Sequence, residues 1–183
     1  MNLTLPNLLS ILRMALVPLF VVSILDGRPG RALAIFALAG VTDALDGFIA
    51  RFWKLQSALG AYLDPAADKL LLVSAYVVLA IPNLHSGLTV PAWISALVIT
   101  RDIVIVVVAL ILHLASGIRR FPPSAVSKVN TATQVGAVIL VLLSGVSDGF
   151  EAPATVAIYL VAALTLASGI DYIYRSNRMV DPK

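Results

Sequence analysis

Asp43-Ala44-Leu45-Asp46-Gly47-Phe48-Ile49-Ala50-Arg51, followed after eight residues by Gly60-Ala61-Tyr62-Leu63-Asp64-Pro65-Ala66-Ala67-Asp68, places four carboxylates in two long apolar stretches of a 183-residue chain. A carboxylate inside a bilayer costs several kcal/mol, so each needs a cation or a water-filled cavity. Asp43 and Asp46 are three apart, and Asp64 and Asp68 four apart, so each pair shares one face of a helix. The polar turn from Arg51 to Ser57 is short, which makes the two helices antiparallel neighbours with both acidic faces turned to one gap. Four carboxylates crowded there repel one another, and some must protonate unless cations intervene. Mg²⁺ or Mn²⁺ suits such a cluster because hard divalent ions take oxygen ligands. A pair of these ions would clamp the attacking and leaving oxygens of a phosphoryl transfer. Gly47 and Gly60 let a phosphate or nucleotide approach the backbone closely, and Arg51 offers a bidentate donor to phosphate oxygens. The competing reading pairs the same acids with Arg51, Lys54, Lys69 and Arg101 as salt bridges between packed helices.

The rest of the chain puts this cluster in a membrane. Hydrophobic residues make up 60% of the sequence and charged residues 13%, with a mean hydropathy of +0.96. Soluble domains run at about 45–50% and about 25%. Apolar stretches at 8–26, 31–52, 58–81, 91–116, 126–147 and 153–174 are each long enough to span a hydrocarbon core. Turn chemistry separates them, including Asp26-Gly27-Arg28-Pro29-Gly30, Pro82-Asn83 and Asp148-Gly149. The expectation is an all-α integral membrane protein of six transmembrane helices forming a single domain over 1–183. Arg13 is awkward within the first stretch, so residues 5–13 are expected to form a short interfacial helix. The amino terminus lacks a basic region and a small-residue cleavage site, and no signal peptide is expected. There is no cysteine, which excludes disulfides and thiolate metal sites.

Lys and Arg are unevenly distributed. Arg13, Arg51, Lys54, Arg119, Arg120, Lys128, Arg175, Arg178 and Lys183 fall on one side. Arg28 and Arg31 fall on the other, with Asp148 and Glu151. The positive-inside rule makes the first side cytoplasmic and places the aspartates there, at the inner membrane. The basic residues serve topology and anionic headgroups, and no nucleic-acid partner is expected.

The quoted segment resembles the signature of the CDP-alcohol phosphatidyltransferase family at every fixed position: Asp43, Asp46, Gly47, Ala50, Arg51, Gly60, Asp64 and Asp68. The opening Leu5-Pro6-Asn7-Leu8-Leu9-Ser10-Ile11-Leu12-Arg13 also looks like the amino-terminal stretch of phosphatidylglycerophosphate synthases and related cardiolipin synthases in that family. The resemblance implies a six-span fold, a homodimer, and attack of an alcohol on the β-phosphorus of a CDP-linked lipid with release of CMP. It also implies that Asp43, Asp46 and Asp64 are ligands of Mg²⁺ or Mn²⁺. Asp68 would be ligand, general base or both, and Gly47, Ala50, Arg51 and Gly60 would line the CDP site.

For the acceptor, Arg101 could bind a phosphate with help from Lys128, or Arg101 could be neutralised by Asp102 and Lys128 could be an interfacial anchor. Phosphatidylglycerophosphate synthases typically carry Arg-Glu and Gly-Lys-x-Lys-Thr at the corresponding places. This chain has Arg101-Asp102 and Ser127-Lys128-Val129-Asn130-Thr131, which look more like eukaryotic-type cardiolipin synthases. The expected acceptor is glycerol 3-phosphate, with phosphatidylglycerol as the alternative. An ion-coupled transporter is the remote alternative, disfavoured because the acids sit near one membrane face.

Overall fold

A computed structural model describes the backbone of residues 5–52, 60–84, 87–116 and 124–180, and the side chains of 8–45, 66–84, 87–108 and 124–174. Six helices follow one another: α1 (Leu5–Leu25), α2 (Pro29–Phe52), α3 (Gly60–Leu79), α4 (Ala92–Ser116), α5 (Ala125–Ser144) and α6 (Glu151–Val180). No strand occurs among the described residues.

Local sequence explains the breaks. α1 ends in a Schellman motif, in which the Gly27 amide donates to the Ile24 carbonyl at 2.9 Å and Arg28 to Ser23 at 2.9 Å. Gly27 supplies the left-handed conformation (φ 66°) and Pro29 opens the next helix. Ser124 caps α5 by accepting a bond from the Ser127 amide. Between α3 and α4, Gly87 has φ 103°, and a Cβ there would lie 2.6 Å from the Gly145 nitrogen just past α5. Gly87→Ala is therefore expected to destabilise the fold by about 1–3 kcal/mol, read as a lowered melting temperature in detergent.

The helices pack so that α1 lies on α2 and α3, α5 on α6 and α2, and α4 on α6. Small residues sit fully buried in the bundle, among them Ala32, Ala39, Ala75 and Ala154, which lets backbones approach. Larger side chains fill the centre: Phe20, Phe36, Tyr76, Ile94 and Leu142, with the Phe20 and Phe36 rings 5.8 Å apart. Outward faces are strongly apolar, with Val106, Val156, Ile170 and Ile173 all exposed, as lipid contact requires. Among the described residues, α1, α5 and α6 each hold a window long and apolar enough to cross a membrane. The chain is thus an all-helical integral membrane protein.

Two expectations are corrected. Among the described residues no separate interfacial helix precedes the first span, because α1 runs unbroken from Leu5 to Leu25. Arg13 on that helix is 1% exposed and pairs with Asp43 inside the bundle. α6 extends to Val180, six residues past the expected 174, because the polar residues that end the apolar stretch do not end the helix. Lys54, Arg119, Arg120 and Lys183 lie outside the described residues.

Candidate active site

The site is built where α1, α2 and α3 meet. Arg13 stands eight residues from the start of α1, Asp43 nine from the end of α2, and Asp68 eight from the start of α3. At 1.5 Å per residue, all three lie roughly 12–14 Å from helix ends on one side of the bundle. A single nitrogen, Arg13 Nη1, is 3.0 Å from Asp43 Oδ1 and also donates to Asp68 Oδ1. Two oxygens on one nitrogen can be no more than about 6 Å apart, so the carboxylates of α2 and α3 converge. They are half-exposed, 49% for Asp43 and 43% for Asp68, whereas the guanidinium is sealed behind them.

This convergence bears on a divalent ion in a specific way. Carboxylate oxygens from two helices gather around one positive centre and stay half-exposed. Hard, negatively charged, closely spaced oxygens are the donor set that Mg²⁺ and Mn²⁺ take. Asp43 and Asp68 are two donors of that kind. Asp46, Gly47, Ala50, Arg51, Gly60 and Asp64 belong to α2 and α3, but their side chains lie outside the described set. Among the described residues, no three acidic or histidine side chains form one metal cluster.

A second charged network joins α3 through α6. Lys69, next to Asp68, pairs with Asp102 Oδ2, and Arg101 Nη1 donates to Asp102 Oδ1 at 2.8 Å. The Arg101–Asp102 pairing, one of the two alternatives for Arg101, is present, and Lys69 pairs with Asp102 as well. Arg101 Nη2 donates to Ser127 Oγ at 2.6 Å and to Ser168 Oγ, while the buried Nε has no hydrogen-bond partner. Ser127 also lines a groove of about 410 Å³ with Lys128, Thr131, Ala132 and Val135. Arg101 and Lys128 are thereby linked through one serine. Asn130, four residues before Gln134, points inward instead. It is fully buried, and its Oδ1 accepts from Thr165 Oγ1 of α6 at 3.2 Å.

Sequence reasoning missed Arg13, Ser127 and Ser168 as members of these networks, and it paired Lys69 with the acids of α2 and α3 rather than with Asp102. One signal was available for Arg13: a lone guanidinium in an apolar run must find acids at its own depth.

The CDP-alcohol phosphatidyltransferase family model matches residues 3–168. A rat cardiolipin synthase (CMP-forming) is 34% identical over 97% of this chain and 63% of its own length. A cardiolipin synthase (CMP-forming) of Streptomyces coelicolor is 36% identical, covering 97% of this chain and 85% of the relative. The CDP-diacylglycerol–glycerol-3-phosphate 3-phosphatidyltransferase of Haemophilus influenzae is 34% identical over 94% of this chain and 93% of its own length. The chain therefore spans less than two thirds of the rat relative and nearly all of the Haemophilus one. The match covers the aspartates of α2 and α3 as well as the charged network of α4 and α5, and the chain belongs to the CDP-alcohol phosphatidyltransferase family.

Proposed function

We propose that this chain, acting as one membrane domain over 1–183, transfers a phosphatidyl group from CDP-diacylglycerol to glycerol 3-phosphate, giving phosphatidylglycerophosphate and CMP. The observation that carries the reading is the convergence of Asp43 and Asp68 on one nitrogen, within a family-matched chain. Six spans, a homodimer and a site opening to the cytoplasm at the inner membrane complete the proposal. The grouping of Arg13, Asp43 and Asp68 at one depth supports it over an ion-coupled transporter, whose carboxylates would be strung across the bilayer.

In this reading Asp43, Asp46, Asp64 and Asp68 hold Mg²⁺ or Mn²⁺, two ions by charge. The metal supplies electrostatic stabilisation of the charge that builds on the phosphates. The chain's own groups do the rest. Gly47, Ala50, Arg51 and Gly60 seat the CDP moiety. Asp68 takes the proton from the acceptor hydroxyl as its oxygen bonds to the β-phosphorus, and the bond from that phosphorus to CMP breaks. Arg101, held by Asp102 and aimed at Ser127 of the groove, binds the acceptor phosphate with Lys128.

Arg101→Ala is expected to raise the KM for glycerol 3-phosphate about 10- to 100-fold, with kcat changed much less, since a charge-assisted bond is lost from binding. CMP release measured against acceptor concentration reads this. An unchanged KM would remove Arg101 from the acceptor site.

One observation favours phosphatidylglycerol as acceptor. Asn130 is buried against Thr165, and Lys128 is the cation lining the groove among the described residues, with Arg101 behind Ser127 already paired to Asp102, less charge than a doubly charged phosphomonoester calls for. A panel of glycerol 3-phosphate, phosphatidylglycerol, inositol phosphate and serine separates the readings by which alcohol supports turnover.

A further inference from the structure

Arg13 is a buried cation for which the reaction proposed above has no use, yet it touches that reaction's two described carboxylates. Guanidinium stays charged on burial and offers several donors in a fixed plane, so it persists where lysine would tend to lose its proton. Its position is equally telling. At 1% exposure it is buried where α1 packs on α2 and α3, whereas Asp43 and Asp68 are 49% and 43% exposed. The formal charge of the three groups together is −1, from one Arg and two Asp. The locus therefore still attracts cations before Asp46 and Asp64 are counted.

The geometry points to Arg13 as a positioning residue: a resident counter-cation that holds Asp43 and Asp68 at metal-binding spacing and yields part of that hold when a divalent ion binds. The inference rests on the metal reading above. Its logic is competition for lone pairs. The oxygens on Arg13 Nη1 belong to residues assigned to the ion, and charge drawn toward that cation is withdrawn from the guanidinium. Without an ion, Arg13 limits the repulsion between α2 and α3. With one, the ion takes over that task.

The test compares wild type, Arg13→Met and Arg13→Lys, purified in detergent with Mn²⁺ and then exchanged into EDTA or Mn²⁺. Melting temperature is read in both, and Mn²⁺ binding is read by electron paramagnetic resonance of the free ion. In EDTA, Arg13→Met is expected to melt about 5–10 °C below wild type, because two carboxylates lose their shared partner. In saturating Mn²⁺ the deficit shrinks to about 2 °C, as the tighter-held ion contributes more to stability. The Mn²⁺ dissociation constant of the variant falls several-fold, since the competing cation is gone. Arg13→Lys restores at least half of the EDTA deficit, and it carries the test if Arg13→Met does not fold without metal.

A deficit of equal size in EDTA and Mn²⁺, with wild-type Mn²⁺ affinity, would make Arg13 a packing residue and overturn the inference alone. A wild-type protein that binds no Mn²⁺ overturns the metal reading and this inference together.

Discussion

Replacing Asp68 by Asn is expected to lower kcat by about 10³-fold or more, with the protein still folded and still in the membrane. Two effects combine at this position. Asn cannot take a proton from the acceptor hydroxyl, and it is a weak ligand for a hard cation. Each effect alone is worth several kcal/mol of barrier, and 10³-fold corresponds to about 4 kcal/mol. Folding should survive because the Asn carbonyl can still accept from Arg13 Nη1, which now donates to Asp68 Oδ1, and Asp43 still supplies a negative charge 3.0 Å away. The check is CMP release alongside the melting temperature. Near-wild-type turnover in a folded variant would remove Asp68 from the chemistry, whereas loss of both signals would point to a structural role.

Metal removal is expected to have an effect of similar size. Exhaustive dialysis against EDTA should abolish CMP release, and Mn²⁺ or Mg²⁺ should restore it. Asp43 and Asp68 are partly offset by Arg13, which leaves a net negative site facing an anionic pyrophosphate. Without divalent ions the donor lipid is repelled, and the charge on departing CMP has nothing to neutralise it. Calcium, larger and less demanding of geometry, is expected to support binding better than turnover. Persistent activity after chelation would assign the charge stabilisation to protein groups alone.

Much of this fold was legible in the chain because its elements are set by apolar length and turn chemistry. The stretches at 31–52, 58–81 and 91–116 agree with α2, α3 and α4 to within two residues at each end. The signals are local: Gly27 in left-handed backbone, Pro29 at a helix start and Ser124 at a cap. The acidic pairs were legible for the same reason, since spacing of three and four fixes a helical face. What sequence could not supply was the partner of each charge. Arg13 meets Asp43 and Asp68 only because α1 packs against both α2 and α3, a tertiary fact with no local signature. Lys69 likewise adjoins an aspartate of its own helix in sequence but reaches Asp102 on α4. Asn130 stands in a polar stretch of the sequence, and only the packing of α5 on α6 shows that it is buried against Thr165.

The central claim is a CMP-releasing transfer between a CDP-lipid and an alcohol. Its most direct test is purified protein in detergent with CDP-diacylglycerol, Mn²⁺ and glycerol 3-phosphate, with CMP and lipid product both quantified. The predicted result is equimolar CMP and phosphatidylglycerophosphate, absent in EDTA and in Asp68→Asn. No CMP with glycerol 3-phosphate, phosphatidylglycerol or any other alcohol, together with cation flux in reconstituted vesicles, would contradict the account.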